Sequence, residues 1–436
     1  MKALFKNKSF VLLFQGSLVS SIGTTLYGFA AGIYMLTLFP TEVYGNDGAF
    51  YFALVSSTPI IIRLLISPLA GALVDKWNRI RIIYLTDFIN GALFYISLYI
   101  LVQFNLSVYD QVLLFIVIGG LAGISSAFFG PAVQSSIPDI VGEDLIQAAN
   151  GAQSIVSSIQ GIVGVLAGVI LYETLGIEMA ILANAVSFIL SGLSEMFIKT
   201  KYAHPRSTTE KHIMEDIKTG FRYIKSTTGL LDMMKYSLLM NFAFVPLFGV
   251  GVPFLFRTEL GKNGYHLAAS SIVFSVAMMI AGIYIGSKHI ASVKHTIVRD
   301  LPRLVLTNAA FVVIVFAVTY GYISYMIFFA LYVVCMTAMA LFLNSVNIPL
   351  NTALVKGIEP SYRGRVLSII QSLAGGATPL AIIIGGIIIQ FSNVAFLGLF
   401  CVVMVLYPMY GFIKNPKVLQ YFDSLDQAKQ EVPQYA

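Results

Sequence analysis

The sequence predicts an all-α polytopic membrane protein of twelve transmembrane helices, arranged as two pseudo-symmetric six-helix bundles. Three observations carry this reading. Of the 436 residues, 57% are hydrophobic and 11% charged, and the mean hydropathy is +0.83, so most of the surface is built for lipid. The stretches Leu304 to Val355 and Val366 to Ile413 run for 52 and 48 residues without an Asp, Glu, Lys or Arg. Each is about twice the ~20 residues that cross a bilayer as helix, so each holds two spans. The third observation is where the basic residues fall: 24 of the 27 Lys and Arg lie in one alternating set of tails and loops, and only Arg257 and Lys262 lie in the other. By the positive-inside rule this places both termini in the cytoplasm and explains the net charge of +6 as topology. No basic domain or stacking platform points to nucleic acid.

Charges, Pro and Gly divide the chain in order into spans at 10–38, 48–74, 80–102, 111–135, 147–172, 176–198, 233–256, 265–287, 301–320, 322–347, 365–391 and 393–413. The first has the basic start of a signal peptide (Lys2, Lys6, Lys8) but runs on to Leu38 without a small-residue cleavage site, so it reads as a spanning helix. The domain plan is a bundle at 1–198, a cytoplasmic linker at 199–232, a second bundle at 233–413 and a cytoplasmic tail at 414–436. Within the linker Ile213, Ile217, Phe221 and Ile224 recur at helical spacing among charges, which predicts an amphipathic helix that tethers the two halves or senses lipid. Cys335 and Cys401 both sit in apolar spans and read as buried thiols, with no disulfide framework. No metal site or cofactor is expected, and the chain is expected to be a monomer.

An internal repeat supports the two halves. At an offset of 218 residues, Pro131, Ile140, Gln153, Ser154, Gly168 and Ile170 fall on Pro349, Ile358, Gln371, Ser372, Gly386 and Ile388, at matching places in spans 4–5 and 10–11. Between spans 2 and 3 lies Gly71 to Arg81, GALVDKWNRIR. It resembles the loop motif of the major facilitator superfamily: Gly71, Asp75, Lys76, Arg79 and Arg81 match, and Asn78, a residue that tolerates a left-handed turn, stands where the family usually has Gly. The stretches Phe14 to Leu36 and Gly130 to Val141, with Ala149-Asn150-Gly151, are similar to the bacterial macrolide-efflux and enterobactin-exporter-like members. The resemblance implies the major facilitator fold, with halves that rock about a central cavity in the cell membrane.

The loop carries gating candidates: Gly71 for close helix approach, Asp75 for the N-terminus of a neighbouring helix, which the resemblance places at span 11, and Lys76, Arg79 and Arg81, of which Arg79 or Arg81 pairs with Asp139. The bland alternative is that these charges only fix topology. The matching place in the second half, Gly286-Ser287-Lys288-His289, lacks the acid. Ionisable groups at membrane depth are functional hypotheses by default. Arg63, Asp87 and Glu195 are the proton-coupling candidates. Arg63 and Asp87 form a coupling pair, form a merely structural pair, or have separate partners with Arg63 facing the cavity. Glu195 otherwise pairs locally with Lys199, and Glu173 is a solvated rim acid. Span 5 has Gly164-Val165-Leu166-Ala167-Gly168 where antiporters of the family have Gly-Pro and paired Gly, and span 4 lacks the Arg associated with proton coupling in many relatives. Pro246, Pro253 and Pro379 break or kink their helices, for structure or for mechanism.

If the resemblance holds, the cavity is lined mainly by spans 1, 4, 7 and 10. Its candidates are Gln15, Tyr27, Tyr34, Phe128, Gln134, Asn241, Phe242, Phe248, Met336, Asn344 and Asn347, each of which can equally be helix packing. Aromatic, Met and amide side chains together suit an amphipathic small molecule. The leading function is therefore a secondary active transporter exporting amphipathic molecules or drugs by proton antiport, with a lipid or lysolipid flippase as the alternative. A membrane-embedded enzyme is disfavoured: His204, His212, His266, His289 and His295 all fall in loops or at span ends, and no H-E-x-x-H or G-x-S-x-G motif exists. The chain has no phosphate-binding P-loop either, against direct ATP drive. A receptor or scaffold on the same fold remains the other class.

Overall fold

A computed structural model describes residues 4–142, 145–200, 213–288 and 292–430. His204, His212 and His289 and the side chain of Asp75 lie outside the described residues. Two compact units are present, one of Met1–Glu210 with Phe256–Ile272 and one of Lys211–Leu255 with Val273–Ala436.

In the first unit α1 is Lys8–Leu38, a short α2 Thr41–Tyr44, α3 Asp47–Lys76, α4 Arg79–Gln103, α5 Val108–Val141, α6 Ile146–Ile159 and α7 Val165–Glu195. Side chains fix several starts. Asn7 accepts from the Ser9 and Phe10 amides, and Ser107 and Asp110 form a reciprocal capping box. Helix α6 continues through a π-helical turn, Gln160–Gly164, into α7, giving a run of 48 residues from Ala148 to Glu195 that is apolar enough for the membrane. That run would be about 72 Å long as one helix, too long for a single crossing. It divides at Gly176, whose φ of 83° only glycine adopts at ease. With that division, the eleven candidate membrane segments among the described residues become twelve crossings.

Helix α1 packs on α7, α3 on α5, and α4 on both α5 and α7. Small residues permit this, as expected where lipid supplies no hydrophobic drive between helices. A Cβ on Gly168 would stand 2.6 Å from the Leu26 carbonyl, and one on Gly123 would stand 2.6 Å from that of Pro59, so backbones touch at both places.

The second unit holds α8 Ile213–Ser226, α9 Leu230–Pro246, α10 Val252–Phe254, most of α11 Gly264–Gly286, α12 Val293–Thr319, α13 Tyr325–Gly357, α14 Pro360–Gln390, α15 Val394–Lys414 and α16 Pro416–Gln430. Helices α9 and α12 pack on α15, α9 on α14, and α12 on α13. Span 7 is broken, as its prolines predict: Leu247–Gly251 follows Pro246 as a π-helical turn, and Leu255–Glu259 follows Pro253 as another. The linker helix appears as α8, with Tyr223 stacked on Tyr362 of α14 at 4.7 Å.

Some boundaries differ from the sequence expectation. Span 9 begins at Val293 rather than 301, because its charged first turns are held by partners instead of ending the helix. The tail contains α16, whose Val418, Tyr421, Phe422 and Leu425 are buried. Asp426 of α16 accepts from Ser292 Oγ (2.6 Å) and from the Val293 (2.6 Å) and Lys294 (3.3 Å) amides, capping α12, while Lys294 pairs with Asp423 at 2.7 Å.

Candidate functional site

Four polar clusters stand out in the apolar scaffold, and the first surrounds the Gly71 to Arg81 loop. Arg79, in the first turn of α4, donates to Asp139 Oδ2 at 2.6 Å and to the Ser135 carbonyl at 3.1 Å, joining α4 to the end of α5. Leu4, Phe10, Leu13, Ile83, Ile137 and Ile140 form an apolar core at this end of the unit. A charge-assisted bond partly removed from water is stronger than a surface pair. Arg81 and Lys76 are exposed. Two expectations are corrected. Asn78 is extended (φ −72°, ψ 111°) and caps α4 by accepting from the Arg81 amide at 3.1 Å, so it does not make a left-handed turn. A Cβ on Gly71 would meet nothing within 4 Å among the described residues, so no close helix approach is found there within the first unit.

The second cluster lies deep in the first unit. Asp87 of α4 is 1% exposed and Glu195 of α7 is 0% exposed, and the two carboxyls are neighbours, with Ser191 beside them. Asp87 Oδ2 and both Glu195 carboxyl oxygens receive no donor. Helix α1 closes over the pair: Gly16 is so near that a Cβ there would stand 2.9 Å from Glu195 Oε1. Ser17, Ser20 and Asn90 are buried as well. This replaces the expected Arg63–Asp87 pair, because Arg63 is exposed on α3 and Asp87 faces Glu195 instead. It also replaces the expected Glu195–Lys199 pair. Among the described residues no cation sits beside either carboxyl.

The third cluster was not foreseen. Arg257 donates to Thr37 Oγ1 (3.1 and 3.2 Å), to Glu173 Oε1 (3.3 Å) and to the Lys262 carbonyl (3.4 Å). Glu173 Oε1 also accepts from the Gly264 amide at 2.6 Å, and the Tyr172 hydroxyl donates to Thr37 Oγ1. Glu173 is thus a part-buried bridge between α7 and the 256–264 segment, and no solvated rim acid. The available signal was that Arg257 and Lys262 are the only basic residues in their set of loops. The fourth cluster is in the second unit, where Asp300 accepts from Arg299, Arg303 and Ser345 and ties α12 to α13.

The cavity candidates do not converge within either unit. In the first, Gln15 donates to Ser194 Oγ at 2.9 Å, Tyr27 stacks on Phe115 and meets Phe94 edge-on, Tyr34 bonds Gln111, Phe128 stacks on Trp77, and Gln134 is exposed. In the second, Asn241 and Asn347 share a cavity of about 100 Å³ with Met240 and Phe244. Phe242 is half-buried nearby, Phe248 stacks between Phe274 and Phe311, Met336 is fully buried, and Asn344 donates to the Ala340 carbonyl at 2.9 Å. Tyr27, Phe248, Met336 and Asn344 thus each make contacts within their own unit.

The family model of the Major Facilitator Superfamily matches residues 21–346. The chain belongs to this superfamily. It is a multi-pass membrane protein and a secondary transporter of small molecules, and its family is one of transporters and not of enzymes. Among relatives, the uncharacterized MFS-type transporter YkuC of Bacillus subtilis is 26% identical over 378 residues, covering 83% of this chain and 81% of that protein. Macrolide efflux protein A of Streptococcus pyogenes is 21% identical over 380 residues, covering 87% and 88%. The putative bacilysin exporter BacE of Bacillus subtilis is 28% identical over 237 residues, covering 54% and 55%. Among solved structures, a D-xylose-proton symporter superposes with a TM-score of 0.70 at 13% identity, covering 95% of this chain and 99% of that one. A bacterial homologue of the iron transporter ferroportin gives 0.69 at 16%, covering 94% and 98%. These low identities speak to the fold.

Proposed function

We propose that this transporter exports amphipathic small molecules by alternating access, that it is driven by the proton gradient, and that the Asp87–Glu195 pair is the group that takes up and releases the proton. The observation that carries the coupling is the pair itself: two neighbouring carboxyls, buried at membrane depth, with three oxygens that receive no donor and no basic partner among the described residues. Burying such a pair costs free energy that a purely structural site would avoid by pairing each acid with a cation. Export is supported by the relatives named as efflux and exporter proteins. The basic loops support cytoplasmic termini in the cell membrane. In this scheme the Arg79–Asp139 bridge, with Gly71, Asp75, Lys76 and Arg81, acts as the gate on the loop side, and the Arg257–Glu173 bridge acts on the opposite side. Each holds its end closed while the other opens.

The test is a substrate panel in proteoliposomes with an imposed pH gradient, reading substrate and internal pH together. Amphipathic cations, macrolides and lysolipids are the arms. Gradient-driven movement of a soluble amphiphile with opposite proton movement is the expected result. Movement of lipid alone makes the protein a flippase, and silence across the panel refutes the export of amphipathic molecules.

A further inference from the structure

An apolar groove of about 390 Å³ runs along the first unit between α4 and α5, separate from the carboxyl pair, with its mouth at the loop that carries Lys76 and Arg81. Its α4 wall is Ile82, Leu85, Ile89 and Leu93, which share one face at helical spacing. Leu121 and Phe128 are on its α5 wall. From Ile82 to Leu93 the groove extends about 16 Å at 1.5 Å per residue, close to the ~15 Å depth of one leaflet's hydrocarbon.

Its mouth is unlike its walls. Trp77, the only tryptophan in the chain, is 53% exposed there and stacks on Phe128 with ring centres 6.4 Å apart and planes 8° from parallel. An indole in this setting marks the boundary between hydrocarbon and headgroups. On either side of Trp77 stand Lys76, which ends α3, and Arg81, one turn before Leu85 on α4. Both are exposed, and among the described residues neither side chain has an acidic partner. The neighbouring Arg79 is occupied by Asp139.

We infer that this groove is a binding site for one anionic phospholipid, with an acyl chain between α4 and α5 and its phosphate at Lys76 and Arg81. The leaflet is the one that meets the Gly71 to Arg81 loop. The occupant follows from charge and length together. A neutral hydrocarbon would fill the walls and leave two cations unanswered at the mouth, while a soluble anion would answer the cations and leave the walls bare. A zwitterionic lipid brings an amine of like charge to the same two cations. Each basic side chain near an anionic surface favours binding by about fivefold, so two give a preference of about twentyfold or more for an anionic over a zwitterionic headgroup.

The single Trp makes the test direct. Phosphatidylglycerol and phosphatidylcholine with acyl chains brominated near the headgroup are titrated into the purified full-length protein in detergent, and quenching of Trp77 fluorescence is followed. The expected result is half-saturation at about twentyfold lower mole fraction for phosphatidylglycerol. The preference should disappear in the Lys76→Gln/Arg81→Gln double variant and persist in Lys76→Arg/Arg81→Lys. Filling the groove with Ile89→Phe should weaken quenching by either lipid. Equal quenching by both lipids means annular lipid only and overturns the site. A preference that survives the double Gln variant overturns the headgroup assignment, and quenching unaffected by Ile89→Phe overturns the groove. All of these side chains are exposed, so the variants fold as the parent does.

Discussion

Replacing Glu195 by Gln separates proton coupling from every other role of the buried pair. The amide keeps the size of the carboxyl and brings an N–H donor to Asp87 Oδ2, an oxygen that otherwise receives none, so the contact that a shared proton makes in the parent survives without the proton. Folding should therefore be retained. The coupling magnitude follows from the geometry: two acids in contact share one exchangeable proton, and one proton moved down a one-unit pH gradient supplies about 1.4 kcal/mol, a tenfold accumulation ratio. With proteoliposomes held at such a gradient, the parent should concentrate substrate about tenfold and Glu195→Gln about onefold, while both should exchange labelled for unlabelled substrate when no gradient is present. Asp87→Asn should behave like Glu195→Gln. Arg63→Ala should keep the tenfold ratio, because the exposed Arg63 does not face the pair. If Glu195→Gln and Asp87→Asn both retain the tenfold ratio, the carboxyl pair is structural and the proton crosses elsewhere.

Three further outcomes follow from the packing. Glu173→Ala leaves the Arg257 guanidinium and the Gly264 amide without their shared acceptor and should cost about 1–3 kcal/mol. In a thermal-unfolding double-mutant cycle with Arg257→Ala, the two losses should fall short of additive, and strict additivity would show that the bridge contributes nothing. Gly168→Val puts a side chain against the Leu26 carbonyl, where a Cβ alone would stand 2.6 Å away; overpacking of about 2 kcal/mol or more should appear as a lower unfolding midpoint, whereas Gly71→Ala, with open space around it, should leave the midpoint unchanged. Asp426→Ala uncaps α12 at a cost of about 1–2 kcal/mol, and faster protease cleavage within α16 than in the parent checks it.

The helices were legible because hydropathy and length decide them: a charge-free run of 52 residues allows no other reading. The Arg79–Asp139 contact was legible because both residues sit near the same ends of antiparallel neighbours. The partner of Asp87 was not. Counting depth along adjacent spans favoured Arg63, but depth says nothing about which side of a helix faces the bundle, and α4 turns Asp87 toward α7 while α3 turns Arg63 outward. Helix α16 was legible in principle, since Val418, Tyr421, Phe422 and Leu425 repeat at one-turn spacing. Its charges masked it as a solvated tail, because their partners lie more than a hundred residues away at the start of α12.

The position of α1 connects the buried carboxyl pair with the Arg257–Glu173 bridge. Gly16 allows α1 to press on Glu195, and the same helix carries Thr37, the acceptor for Arg257, at its other end. At 1.5 Å per residue these two points are about 31 Å apart, so a single rigid helix spans from the carboxyl pair to the bridge at the opposite membrane face. Any tilt of α1 that relaxes the Gly16 contact must also displace Thr37, and loss of the Arg257 bridge frees α1 to make that tilt. In the proposed scheme, uptake of a proton by the pair would remove like-charge repulsion that opposes close packing there, and its release would restore it. In that scheme the proton and the far gate would act on two ends of one element, which is the physical requirement for coupling one to the other.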